Sequence, residues 1–270
     1  MHGPMQKFLI VCGNKLMWHK RNIARAFDTA HSFGCDNLVV SGSSFTYNNS
    51  NQDACTWPYY LRDLGGFESV YDTSLPGAGN SHIATSLQWS LENHHIDPAN
   101  SLVVVMWAFN NTDDFVVSSA ATKKYPFQYH YTKSVQSGIV GGAENYRTQR
   151  PANLGITPNI DQLKSPQSRA VENYLAIVAL KAYLTQRGYR SVFLAAGSSL
   201  ALRNNDFEIQ DHLDPQLAQR LTSHYLPIQD LFDYCLYYDY LESDMLHPSP
   251  TGHLNWCRER LVPAIVDNIR

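Results

Sequence analysis

The chain has 270 residues, 44% of them hydrophobic and 17% charged, and its 21 basic and 24 acidic residues leave a net charge of −3. That apolar content excludes a disordered chain. The slightly acidic balance argues against nucleic acid as a main partner, because counterion displacement needs a basic footprint. The length suits one well-buried domain spanning residues 1–270, with residues 1–35 as an N-terminal extension packed on it. No apolar run approaches the ~20 residues that cross a bilayer, so no membrane contact is expected. Met1–Val11 lacks the basic region, apolar stretch and cleavage site of a secretory signal. The five cysteines, Cys12, Cys35, Cys55, Cys235 and Cys257, are odd in number and far apart, with no CxxC. Buried reduced thiols and a cytoplasmic location are therefore expected, with no metal site.

The first candidate strand is Phe8–Cys12, and Asn22–Phe33 follows as a helix with Ile23, Ala26, Phe27 and Ala30 on one face. Asn37–Ser41 (NLVVS) is a strand without polar alternation, the mark of burial on both faces in a parallel sheet. A helix over Ala54–Leu64, a weaker strand over Phe67–Tyr71 and a helix over Ser81–Asn93 come next. Ser101–Trp107 (SLVVVMW) is the strongest strand. Gln167–Arg187 is the longest helix, with Val171, Leu175, Val178 and Leu184 spaced as a stripe and Gly188 after its end. The strand Ser191–Ala195 and the helix Thr251–Ile269 close the series. Alternating strands and helices predict an α/β fold with a mostly parallel, doubly wound sheet. Asn110–Ser165 breaks that rhythm. It has no convincing strand or long helix, and it carries Tyr125, Tyr129, Tyr131 and Tyr146. A long insertion at the end of the strongest strand is placed to face a substrate.

Four places have the residue types for chemistry. Ser41-Gly42-Ser43-Ser44 follows a strand, so a tight turn can present a hydroxyl beside backbone N–H groups. It matches neither the GxSxG elbow nor a P-loop, and GxGxxG is also absent, which argues against a nucleotide-binding protein. Leu75-Pro76-Gly77-Ala78-Gly79 allows close backbone approach, and Asn80 or Ser81 can cap the next helix. Asn110 and Asn111 follow the strongest strand, where an amide can face developing negative charge. In Asp244-Met245-Leu246-His247-Pro248, an Asp three residues before a His can accept from one ring nitrogen and leave the other as a base. Of the remaining histidines, His253 is expected to be structural, His94 and His95 to end a helix, and His82 to lie near Gly79.

In that order the four blocks resemble the SGNH hydrolases, also called GDSL esterases. Gly42-Ser43-Ser44 stands where the family has Gly-Asp-Ser, and Ser43 departs from its Asp. Gly79, with Gly77 as rival, stands at the second-block glycine. Ala108-Phe109-Asn110-Asn111 stands at Gly-x-Asn-Asp, departing at both ends, with Asn111 the alternative to Asn110. Asp244 and His247, with Pro248, match Asp-x-x-His. The resemblance spans Val39–His253.

It implies a flavodoxin-like three-layer α/β/α fold with a mostly parallel five-stranded sheet. It further implies Ser44 as nucleophile, His247 as base, Asp244 as its orienting acid, and an oxyanion hole of the Ser44 and Gly79 N–H groups and the Asn110 side chain. No cofactor is implied. The implied substrate is a small-molecule or carbohydrate ester. The polar insertion and Trp57, read as a flat face for a sugar ring, favour an O-acetylated carbohydrate over a lipid. Two other functions fit the same blocks. One is an O-acyltransferase using the same triad. The other is a non-catalytic binding or structural module, for example a virion component.

Overall fold

The computed structural model describes residues 33–47, 56–76, 78–108, 112–116, 131–136, 166–197, 216, 219–220, 223–244 and 246–269. Four strands form one parallel sheet: β1 (Asn37–Ser41), β2 (Ser69–Asp72), β3 (Ser101–Trp107) and β6 (Arg190–Ala195), in the order β2-β1-β3-β6. The register sets Asn37 against Ser69 and Ser101, and Leu102 against Arg190. The helices are α1 (Trp57–Gly65), α2 (Asn80–Asn93), α3 (Pro166–Gln186), α4 (Leu231–Tyr237), α5 (Pro250–Trp256) and α6 (Val262–Ile269).

The sheet is buried on both faces, as its β-branched runs predict. Leu38, Val40, Leu102, Val104 and Met106 pack against Trp57, Leu61, Trp256, Leu261 and Ile265 from α1, α5, α6 and the turn that joins the last two. Val39, Val103, Val105 and Trp107 point the other way, onto Ile83, Leu87, Ile177, Leu180 and Leu184 of α2 and α3. The period-two alternation of a strand thus feeds two cores and gives the three-layer α/β/α architecture. β1 leads through α1 to β2 on one side, and the chain then returns to β3 on the other. The carboxyl ends of β1 and β3 therefore flank a topological switch point, the position where open α/β sheets bind ligands.

Several elements differ from the sequence expectations. The described sheet has four strands; the expected Phe8–Cys12 strand and the Asn22–Phe33 helix lie outside the described residues. The weak strand runs over Ser69–Asp72 rather than Phe67–Tyr71, because Phe67 turns inward to stack on Phe33 at 5.3 Å. The 110–165 segment does contain strands: β4 (Thr112–Val116) and β5 (Tyr131–Gln136) pair antiparallel, apart from the main sheet. Its other residues, including Tyr125, Tyr129 and Tyr146, lie outside the described residues. The final helix is interrupted by a π turn, Cys257–Leu261, in which the Val262 N–H bonds back to the Cys257 carbonyl. Pro263 follows at once; it has no N–H to donate and crowds the preceding turn, so the helix widens there. Cys35, Cys235 and Cys257 are buried free thiols, and burial pushes Cys235 up to about 12. Among the described residues no helix is long and apolar enough to cross a membrane.

Candidate active site

The carboxyl end of β1 runs directly into a tight turn. The Ser43 carbonyl accepts from the Thr46 and Tyr47 N–H groups, both at 2.9 Å. The turn is pinned from three sides. Leu75 N–H donates to the Gly42 carbonyl, the buried Trp57 Nε1–H donates to Thr46 Oγ1 at 3.3 Å, and Phe45 is buried beneath. Ser44 is left half-buried at the crest.

The partner comes from the other end of the chain. Leu241 pairs with Pro248, the Glu242 N–H donates to the His247 carbonyl, and the Ser249 N–H donates to the Tyr240 carbonyl. These contacts make a short hairpin that carries Asp244 and His247. Ser249 then caps α5 by accepting from the Gly252 N–H, with Pro250 opening the helix. Inside the hairpin, Asp244 Oδ1 accepts from the Leu246 and His247 N–H groups, each at 2.9 Å. Its Oδ2 lies 2.5 Å from His247 Nδ1. Burial works to raise the Asp244 pKa, but the hydrogen bonds from the His247 ring and the two backbone N–H groups outweigh it and hold the carboxyl below its usual range.

His247 Nε2 lies 3.1 Å from Ser44 Oγ, across 203 residues of sequence. The Phe45 ring packs 5.6 Å from the imidazole and 6.3 Å from Phe232, so the residue after the serine helps hold the histidine in place. With Nδ1–H donating to Asp244, Nε2 is the ring's acceptor and the Ser44 hydroxyl donates to it. The structure thus brings Ser44, His247 and Asp244 into one hydrogen-bonded relay beside the switch point.

Gly79 precedes α2 as its N-terminal flanking residue. The Ser41 hydroxyl donates to the Ile83 carbonyl at 3.1 Å, which ties the first turn of α2 to the carboxyl end of β1. Asn80 does not cap the helix. Its buried amide accepts from the Ala108 N–H at 2.8 Å and donates to the Ala108 carbonyl at 3.3 Å, clamping α2 to the end of β3. Gly77, Asn110 and Asn111 lie outside the described residues. Trp57 is not a surface for a sugar, because it is 0% exposed in the core under the Ser44 turn. The sequence reading missed Phe45 and the Asn80 clamp. Phe45 carries no polar signal, and Asn80 sits where an asparagine is read first as a cap.

His253, on α5, is buried, and its Nδ1 has no hydrogen-bond partner among the described residues. Burial, followed by electrostatic repulsion from the neighbouring His247 ring whenever that ring takes up a proton, depresses it from an ordinary 6.5 to about 3. Between these values the unfolded chain binds a proton that the folded chain refuses, so stability is lost as pH falls below 6.5. The expected loss from this group is about 2 kcal/mol between pH 7.5 and pH 5. Urea midpoints at both pH values should show the drop in wild type and a smaller one in His253→Leu; equal drops would remove His253 as its source.

The class these features define is a parallel α/β protein with a Ser-His-Asp relay at the switch point of its sheet. No family model and no curated protein matches the sequence. Among solved structures the chain is similar to a psychrotrophic esterase, EstA, from Pseudoalteromonas sp.; identity is 10%, coverage 86% of this chain and 97% of that one, and TM-score 0.44. It is likewise similar to a lipolytic protein of the G-D-S-L family from Veillonella parvula, at 11% identity, 86% and 97% coverage, and TM-score 0.44. An acetyl xylan esterase, AlAXEase, is similar at 12% identity, 87% and 100% coverage, and TM-score 0.41.

Proposed function

We propose that this chain is a serine esterase that hydrolyses a small acyl ester through Ser44, His247 and Asp244. The observation that carries this reading is the unbroken relay from Ser44 Oγ through both His247 nitrogens to Asp244. It agrees with what the resemblance to SGNH hydrolases implies.

Ser44 Oγ attacks the ester carbonyl carbon as His247 Nε2 takes the hydroxyl proton, and the carbonyl electron pair moves onto oxygen. Asp244 accepts from Nδ1 and stabilises the imidazolium. The oxyanion is met by the N–H groups of Ser44 and Gly79 and by the Asn110 side chain, donors each worth ~10²–10³ in kcat. Collapse of the adduct breaks the ester C–O bond, and the leaving alcohol takes the proton back from His247. Water repeats the sequence on the acyl-serine, which releases the acid and frees Ser44. The proposed alcohol is a carbohydrate and the acyl group is acetyl.

The test is labelling by a fluorophosphonate probe with peptide mapping. Folded wild type is expected to carry the phosphonyl group on Ser44, and Ser44→Ala none. Folded wild type that stays unlabelled would leave the chain as a non-catalytic module.

A further inference from the structure

β1 leaves the main sheet after Ser41, which lies opposite Val105, while β3 runs on to Trp107. The Trp107 carbonyl is paired on the β6 side, where it accepts from the Ala196 N–H at 3.0 Å. Successive residues of a strand turn their peptide groups to opposite sides, so Ala108 presents its N–H and carbonyl to the side that β1 has vacated. Ala108 is buried, and buried peptide groups without partners are costly.

Asn80, itself 1% exposed, fills that gap. Its Oδ1 accepts from the Ala108 N–H at 2.8 Å, and its Nδ2 donates to the Ala108 carbonyl at 3.3 Å. One amide thus makes both bonds that a neighbouring strand would have made. Gly79 immediately precedes Asn80, and its extended backbone leads into α2. Asn110 follows Ala108 by two residues in sequence. The two groups assigned with Ser44 to the oxyanion hole therefore belong to the two segments that this side chain joins. The Ser41 hydroxyl, donating to the Ile83 carbonyl, ties the same helix turn to β1, which ends in the Ser44 turn.

We infer that Asn80 is a positioning residue: it sets the spacing between the oxyanion donor that precedes α2 and the one that follows β3. This rests on the esterase reading above. A ground-state ester carbonyl asks little of those donors, whereas the tetrahedral oxyanion needs all of them at hydrogen-bond distance. The clamp therefore acts on kcat rather than on KM.

The experiment is steady-state hydrolysis of p-nitrophenyl acetate, with rates taken per site titrated by a fluorophosphonate so that unfolded chains are not counted. Asn80→Ala should lower kcat about 10²-fold, the cost of a shift of about 1 Å, and leave KM within about twofold. Asn80→Asp keeps the bond from the Ala108 N–H and loses the donation to its carbonyl. It should lose about tenfold, and it carries the test if Asn80→Ala does not fold. Phenylboronic acid, which forms a tetrahedral adduct on the nucleophilic serine, should bind each variant more weakly by the factor that kcat falls. In an Asn110→Ala background, where one arm of the hole is gone, the Asn80→Ala loss should shrink to about threefold. Asn93→Ala, which breaks a side-chain bond to the Trp89 carbonyl at the other end of α2, should leave kcat unchanged. Unchanged kcat in both Asn80 variants, a loss confined to KM, or an undiminished loss in the Asn110→Ala background would overturn the positioning role. Wild type that neither hydrolyses the ester nor takes the probe would overturn the esterase reading, and this inference with it.

Discussion

Ser44→Ala and His247→Gln should each lower kcat/KM for p-nitrophenyl acetate by about 10⁵–10⁶-fold, with circular dichroism unchanged. The two effects should not add. Ser44 Oγ is nucleophilic only while His247 Nε2, 3.1 Å away, can take its proton, so either loss disables the same step. The double variant should be no slower than the worse single one. Asp244→Asn should cost less, about 10⁴-fold. Asp244 Oδ2 now accepts from Nδ1; an amide nitrogen turned to that position would donate instead and favour the tautomer with Nε2 protonated, facing the serine hydroxyl. At about 1.4 kcal/mol per tenfold, the two larger losses correspond to about 7–8 kcal/mol of transition-state stabilisation. Equal rates for wild type and all three variants would take the relay out of the chemistry.

Gly42→Ala should damage stability and activity together. A Cβ built there would lie 2.1 Å from Thr46 Oγ1, 2.7 Å from Thr46 Cβ and 3.1 Å from the Met106 carbonyl. Thr46 has no easy retreat, because it is fully buried and accepts from the Trp57 indole. The turn between Gly42 and Thr46 must shift, and Ser44 lies inside it. The expected cost is about 1–3 kcal/mol of stability. Displacing the serine by about 1 Å should add a loss of ~10² in kcat. Gly66→Ala is the control. Gly66 ends α1 at φ +74°, where an alanine is strained, but an added Cβ meets nothing within 4 Å. It should cost about 1 kcal/mol and leave kcat alone. Equal kcat losses in the two variants would show that general destabilisation, rather than the position of Ser44, was being read.

The parts of this fold legible in the sequence are those where one physical rule dominates. β1, β3 and β6 are short apolar runs because helices cover both faces of the sheet, and that demand leaves a plain mark. β2 is an edge strand with Tyr71 40% exposed, so its pattern is diluted and its boundaries moved. The β4–β5 hairpin went unseen because TDDFV and YTKSVQ are largely polar and carry no buried-strand signal. Helix α4 was missed for a different reason. LFDYCLY is only seven residues long and aromatic on several sides. Its one local clue was Asp230, whose carboxylate caps the helix by accepting from the Asp233 N–H at 2.9 Å. In the candidate site, the short-range logic of Asp244 and His247 was readable, because an acidic side chain three residues back can reach the ring. The pairing of His247 with Ser44 came only from the family resemblance. No local rule links residues 203 positions apart. The reading of Trp57 as a sugar platform failed because an indole serves a core and a surface equally well until the fold decides.

The same long separation orders events in time. A ribosome would deliver Ser44 some 200 residues before the histidine proposed to activate it. Under the proposed mechanism, the serine stays an ordinary alcohol, unable to attack esters around the unfinished chain, until the hairpin emerges and docks on the turn after β1. Contacts between distant segments form late because the loop they close is entropically costly. Reactivity would therefore be withheld until assembly is nearly complete, and the first acyl group transferred would mark the moment the two ends of the chain met.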